Sequence, residues 1–160
     1  MEPLPISLIA FAIALIIGNV VIHSIGTFFL VWGSVKLKPT GSTRPTSLRV
    51  TVGVTIRVIV LLLLHMIEVA LWATLYYREG CFSDFRTSIY FSLVTYATVG
   101  YGDVVLNAQY RMLGGVEALV GILMMSWSTA ILIGYLQRVY PRLVDRWQVD
   151  RAHKPPRQSQ

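Results

Sequence analysis

Charge is scarce in this chain of 160 residues: Asp, Glu, Lys and Arg together make up 14%, against 54% hydrophobic residues. A soluble domain averages about a quarter charged residues, so the composition excludes an ordinary soluble fold and points to a membrane. Cysteine is scarcer still. Cys81 stands alone, which excludes any disulfide within the chain. Acidic residues number eight against fourteen Lys and Arg, for a formal net charge of +6. Missing too are metal-ligand spacings, a nucleophile beside a base, and a phosphate-cradling glycine loop. The residues therefore give no ground to expect a catalytic site, a structural metal or a bound cofactor. No segment repeats arginine every third residue as a voltage sensor does, and no nucleotide-binding type of domain follows the last apolar segment.

What the chain has in quantity is apolar sequence. Leu4 to Trp32, Val50 to Tyr77 and Met112 to Leu136 each supply the ~20 residues that a helix needs to cross a hydrocarbon core. Phe85 to Thr98 is too short and suits a re-entrant helix, whose irregular continuation must be buried in protein or line water. The first segment lacks a basic start and is longer than a signal's apolar region, so it reads as a retained helix. Lys36, Lys38, Arg44 and Arg49 fill the first connection, and Arg138, Arg142, Arg146, Arg151, Lys154 and Arg157 crowd the tail. Positive residues near helix ends stay cytoplasmic, which puts the tail inside and the amino terminus, with Glu2, outside with the 77–111 region. The pI near 9.8 is then a membrane property, not a sign of nucleic acid. Arg138, Arg142 and Arg146 at spacing of four, beside Tyr140 and Trp147, suit an interfacial helix on anionic lipid, and Pro155-Pro156 opens a stretch expected to be disordered.

One short motif stands out, Thr98-Val99-Gly100-Tyr101-Gly102-Asp103. Glycine at 100 and 102 permits backbone angles that let consecutive carbonyls turn toward one axis. Rings of carbonyls that replace an ion's water need several chains around that axis. Thr51-Val52-Gly53-Val54 begins alike but lacks the Tyr-Gly-Asp continuation and reads as ordinary membrane helix. Tyr90 to Asp103, YFSLVTYATVGYGD, closely resembles the pore loop of potassium channels. Residues 48–137 likewise resemble that family's helix, pore loop, helix unit. The resemblance implies an all-α membrane fold of three transmembrane helices plus a re-entrant pore helix and filter loop, assembled as a homotetramer around a central pore. It implies K+ conduction with Thr98, Val99, Gly100, Tyr101 and Gly102 as the ion-binding residues, and K+ itself as the only ion at the site. Residues 1–33 form an added helix, 34–49 a basic connection, 50–137 the channel domain and 138–160 a basic tail.

Further assignments follow the resemblance. Ser83 or Asp84 caps the pore helix, whose carboxyl end would favour a cation in a cavity. Tyr90 and Phe91 stand where an aromatic pair braces the filter tyrosine, here Tyr101; simple packing is their other reading. Asp103 sits at the outer mouth. Val94 replaces a glutamate that pairs with this aspartate in some bacterial relatives, so that bond is expected to be missing. Ala97 replaces a common threonine, and Val105 an aromatic residue, which predicts weak external tetraethylammonium block. Arg111-Met112-Leu113 leading to Gly121 resembles the start and hinge glycine of the inner helix, with a close helix contact as the alternative. Ile122, Met125, Thr129 and Ile133 share one helical face. By resemblance that face lines the cavity, with Ile133 and Gln137 as candidates for a constriction.

Ionisable and polar residues at membrane depth are functional candidates by their cost. His65 and Glu68 share a face of the second segment, Asn19 and His23 one of the first. A His23–Glu68 contact would anchor the added helix; a pH sensor is the sharper reading of the same pair. Glu117 is expected behind the filter. Cys81 lies in the external turret, where pairing between subunits is conceivable. Besides a potassium channel, three readings stay open: a weakly selective cation channel, a small membrane enzyme using Glu68, Glu117 and His65, and an accessory channel subunit. The expected address is a cell membrane, by compactness a prokaryotic inner membrane.

Overall fold

The computed structural model describes residues 6–36 and 46–152. Glu2, Lys38, Arg44, Lys154, Arg157 and Pro155-Pro156 lie outside the described residues, as do the side chains of Lys36, Arg142, Arg146, Trp147 and Arg151. Every regular element among the described residues is helical: α1 (Ile6–Lys36), α2 (Ser47–Arg78), α3 (Phe85–Tyr96) and α4 (Arg111–Ala152). Spans long and apolar enough to cross a membrane run over Leu8–Gly33, Ser47–Arg78 and Arg111–Pro141, matching the expected segments in number and order. The fold is all-α, as the composition and the lengths of the apolar runs predict.

Local chemistry sets the helix ends. Thr46 caps α2, its side chain accepting the Arg49 N–H at 3.5 Å. Of the two candidate caps for α3, Asp84 takes the position, accepting from Thr87 N at 2.8 Å. At the other end α4 outruns the expected Leu136, continuing as helix past Arg138 to Ala152. Pro141 lies inside it and has no N–H to give Gln137 O, so the helical ladder loses one bond there.

Two contacts set the register of α1 against α2. His23 meets Glu68 at 3.0 Å, and a Cβ on Gly26 would strike the Leu64 side chain. The partner's number falls as the α1 number rises, so the helices run in opposite directions. Toward the expected external side, aromatic rings fill the space between α2 and α3. Tyr76 meets Phe91 edge-on at 5.2 Å, and Phe82 lies 5.2 Å from the same ring. The outward faces of α1 and α2 expose Phe11, Ile17, Phe28, Ile59, Leu63 and Ile67, as helices in contact with lipid do.

Candidate functional site

The loop after α3 begins by using the helix's own last carbonyls. Ala97 N–H bonds to Leu93 O at 3.0 Å and Thr98 N–H to Thr95 O at 2.9 Å. Val99 and Gly100 N–H both reach Val94 O, at 2.9 and 3.3 Å. Val94 thus supports the loop through its main chain. Beyond this tight turn φ is positive at every second residue, +58° at Thr98, +55° at Gly100 and +79° at Gly102. Glycine adopts this region freely, whereas a β-branched threonine pays about 1–2 kcal/mol for it. Left-handed backbone at alternate positions abolishes the strand-like alternation of carbonyl directions. Among the described residues no protein hydrogen bond ends on a carbonyl oxygen of residues 98–102. Val99 and Tyr101 are exposed, Tyr101 to 72%. The stretch is a row of bare acceptors.

Just past this loop, Tyr90 OH donates to Asp103 Oδ2 at 2.6 Å. The bond from position 94 is missing because valine cannot make it, and the phenol supplies another. The Tyr90 hydrogen bond holds the Asp103 carboxyl below its usual range, and the same bond pushes the Tyr90 phenol up. Phe91, next in sequence, turns the other way into the Tyr76 and Phe82 cluster, so within one chain the two aromatics divide between loop and core. A cleft of about 190 Å³ lies behind the loop, bounded by Tyr90, Val94, Thr95, Gly100 and Val104 among others. Val105 is exposed at the same end of the loop.

Two buried carboxylates hold the inner face of α3, one turn apart. Glu117 of α4 takes Tyr76 OH on Oε2 at 2.7 Å and Ser92 Oγ on Oε1. Ser92 Oγ also lies 2.9 Å from Val69 O. Glu68 of α2 takes Tyr96 OH on Oε2 and faces His23 Nδ1 through Oε1. His65 Nδ1 stands 3.2 Å from Glu68 Oε2 and 3.3 Å from Tyr96 OH. Ser128 Oγ closes the group, 3.0 Å from His65 Nε2 and 3.3 Å from His23 Nε2. The predicted His23–Glu68 contact therefore exists and belongs to a cluster drawn from all four helices. Asn19 is buried but bonds only locally among the described residues, to Leu15 O at 2.8 Å. Its Oδ1 and Trp72 Nε1 are buried without a hydrogen-bond partner. Ser88, Ser92 and Tyr96 escaped the sequence reading, although their spacing of four marks a polar stripe on α3. Ser128 gave no such signal.

On α4, Gly121 passes directly under Tyr96 O, which a Cβ there would strike. The close approach gives Gly121 a packing reason in a helix that is continuous through it. Ile122, Thr129, Ile133 and Gln137 are exposed in the single chain and Met125 is partly so, so this face packs on none of the other helices. Nearer the expected cytoplasmic end, the Arg57 guanidinium lies 3.6 Å above the Tyr135 ring, and Gly53 leaves room for the Tyr135 hydroxyl. Thr51 to Val54, the partial repeat of the motif, is plain α2 helix.

Comparison with known proteins adds one finding. Residues 64–138 match the model of a family described as ion channel; the matched stretch begins one residue before His65 and takes in α3, the bare-carbonyl loop and the first two-thirds of α4. Neither the curated proteins nor the solved structures gave a significant match. The match and the three apolar spans support a multi-pass membrane chain with an ion-channel pore.

Proposed function

We propose that four copies of this chain surround one axis and pass K+ selectively through stacked carbonyl rings from Thr98, Val99, Gly100 and Tyr101, with the Thr98 hydroxyl as a further ring. The alternating positive φ with unclaimed carbonyls carries the reading. An ion entering the loop exchanges water oxygens for carbonyl oxygens, and neighbouring sites let one ion displace the next. One chain supplies one wall, and the exposure of Val99 and Tyr101 suits a loop completed by neighbours. The unpacked α4 face of Ile122, Met125, Thr129 and Ile133 lines the water-filled path below, with Ile133 and Gln137 at a constriction and Gly121 as the bending point. Asp103 concentrates cations at the mouth. The amino terminus lies outside, the basic tail inside against anionic lipid, in a cell membrane of prokaryotic type. No catalytic step is needed.

Reversal potentials in a planar bilayer, with K+ on one side and Na+ on the other, test this. The wild type reverses near the K+ equilibrium potential; reversal near zero would replace the proposal with a weakly selective pore. Gly100→Ala abolishes selectivity, because within the chain nothing obstructs a Cβ there but φ is +55° and an L-residue resists it.

A further inference from the structure

We propose that His23, His65 and Glu68 bind a divalent transition-metal ion of the zinc class inside the membrane, clamping α1 to the pore unit. The proposal does not depend on which ion the pore selects.

The ligand atoms of the three residues lie within 4.8 Å of one another. His23 and Glu68 are fully buried and His65 keeps 12% of its side-chain surface. His23 Nδ1 faces one carboxylate oxygen at 3.0 Å and His65 Nδ1 the other at 3.2 Å. Tyr96 OH touches both Glu68 Oε2 and His65 Nδ1. Donors around a tetrahedral zinc with bonds of about 2.1 Å stand ~3.4 Å apart. The protein thus already holds two imidazoles and a carboxylate within 4.8 Å of one another, with the Tyr96 phenol beside them, so small side-chain adjustments bring these donors to that spacing, and mixed imidazole and oxygen donors suit zinc.

Hydrogen counting points the same way. A neutral imidazole carries one N–H, and a serine hydroxyl one hydrogen and two lone pairs. With both Nδ1 atoms protonated toward Glu68, both Nε2 atoms become acceptors facing the single hydrogen of Ser128. With both Nε2 atoms protonated, Ser128 accepts from both rings, but two Nδ1 lone pairs then face the carboxylate. The mixed pair, His23 protonated at Nδ1 and His65 at Nε2, satisfies Ser128 but leaves the His65 Nδ1 lone pair facing Glu68 Oε2, the two sharing the single hydrogen of Tyr96 OH. A cation between them turns that opposition into coordination. Ser128 becomes the outer partner that fixes both tautomers, as metal-bound histidines usually require. An added proton on one ring would also mend the count, and the experiment separates the two.

The full-length protein is purified in nanodiscs, stripped with chelator and reloaded with Zn2+ or Co2+. Expected are one metal per chain by elemental analysis, visible absorption bands of tetrahedral Co2+, and a thermal midpoint raised by Zn2+. Glu68→Gln and His65→Gln lose the Co2+ bands and weaken Zn2+ uptake at least 100-fold, and Ser128→Ala weakens it roughly 10-fold, as outer-shell changes do. His153→Gln, which removes the remaining histidine of the chain, changes nothing. If a variant fails to fold, the Co2+ spectrum of the wild type decides alone. Absence of those bands, their survival in Glu68→Gln, their loss in His153→Gln, or a cluster that takes up protons but no metal overturns the proposal.

Discussion

At the scale of single residues, the Asp103 end of the loop rests on one phenol. The Asp103 carboxyl lies below its ordinary value of 3.8 because Tyr90 donates to it, and Tyr90 lies above its ordinary 10.0 because Asp103 accepts. A depressed folded value means the carboxylate's contribution is present above the unfolded value and is lost as pH falls through the folded one. The raised phenol keeps its proton past the usual tyrosine range. The bond therefore persists across neutral pH and fails first on the acid side. In Tyr90→Phe the Asp103 titration, followed by NMR, moves up toward the ordinary value. Cys81 shows burial at work: its thiol is pushed from 9.0 to about 11, by desolvation first and then by Glu79. Its alkylation at pH 7.5 is expected to run about 100-fold slower than that of a free thiol, following the thiolate fraction.

At the scale of elements, α3 is held by polar bonds along one side and by a bare helix surface at its end. Glu117→Gln retains an acceptor for Tyr76 and a donor for Ser92, whereas Glu117→Leu leaves both hydroxyls buried without that partner. Ser92 keeps Val69 O as acceptor, so the leucine variant orphans the Tyr76 hydroxyl and is expected to lose roughly 1–3 kcal/mol, seen as a lower thermal midpoint than the glutamine variant. Gly121→Ala drives a methyl toward Tyr96 O and costs roughly 1–3 kcal/mol by overpacking. Denaturant titration measures that cost without any gating assay, so packing and bending are separable. Along α1 the register that joins His23 to Glu68 brings Asn19 opposite Trp72, one turn away on each helix. Both carry a buried polar atom without a partner, so Asn19→Leu raises the thermal midpoint; a fall would mean that a water bridges the pair.

At the scale of the whole molecule, the proposed function needs more than one chain. The 98–102 loop and the α4 face of Ile122, Thr129 and Ile133 are exposed in the single chain. Native mass measurement in nanodiscs is expected to give four chains of 17.9 kDa each. Much of this was legible beforehand. Apolar length decides whether a helix can cross a bilayer, a property of consecutive residues, so Leu4–Trp32, Val50–Tyr77 and Met112–Leu136 located the three long helices. Thr98 to Asp103 was legible because its backbone angles are imposed by glycines inside the motif. Helix periodicity also put His23 and Asn19 on one face and His65 and Glu68 on another.

The sequence by itself thus determined the helical fold, the number of apolar spans and the left-handed glycine positions of the loop at 98–103, since each depends on local length, polarity and backbone freedom. Only the tertiary structure decided which polar residues meet. His23, Glu68, Tyr96 and Ser128 lie on four helices, far apart in the chain, and no spacing encodes their convergence. It likewise decided that Tyr90 rather than residue 94 serves Asp103, that Phe91 turns away into the core, and that Gly121 lies beneath Tyr96 O. Contacts of this kind depend on helix register and rotation, which packing fixes and periodicity alone leaves free.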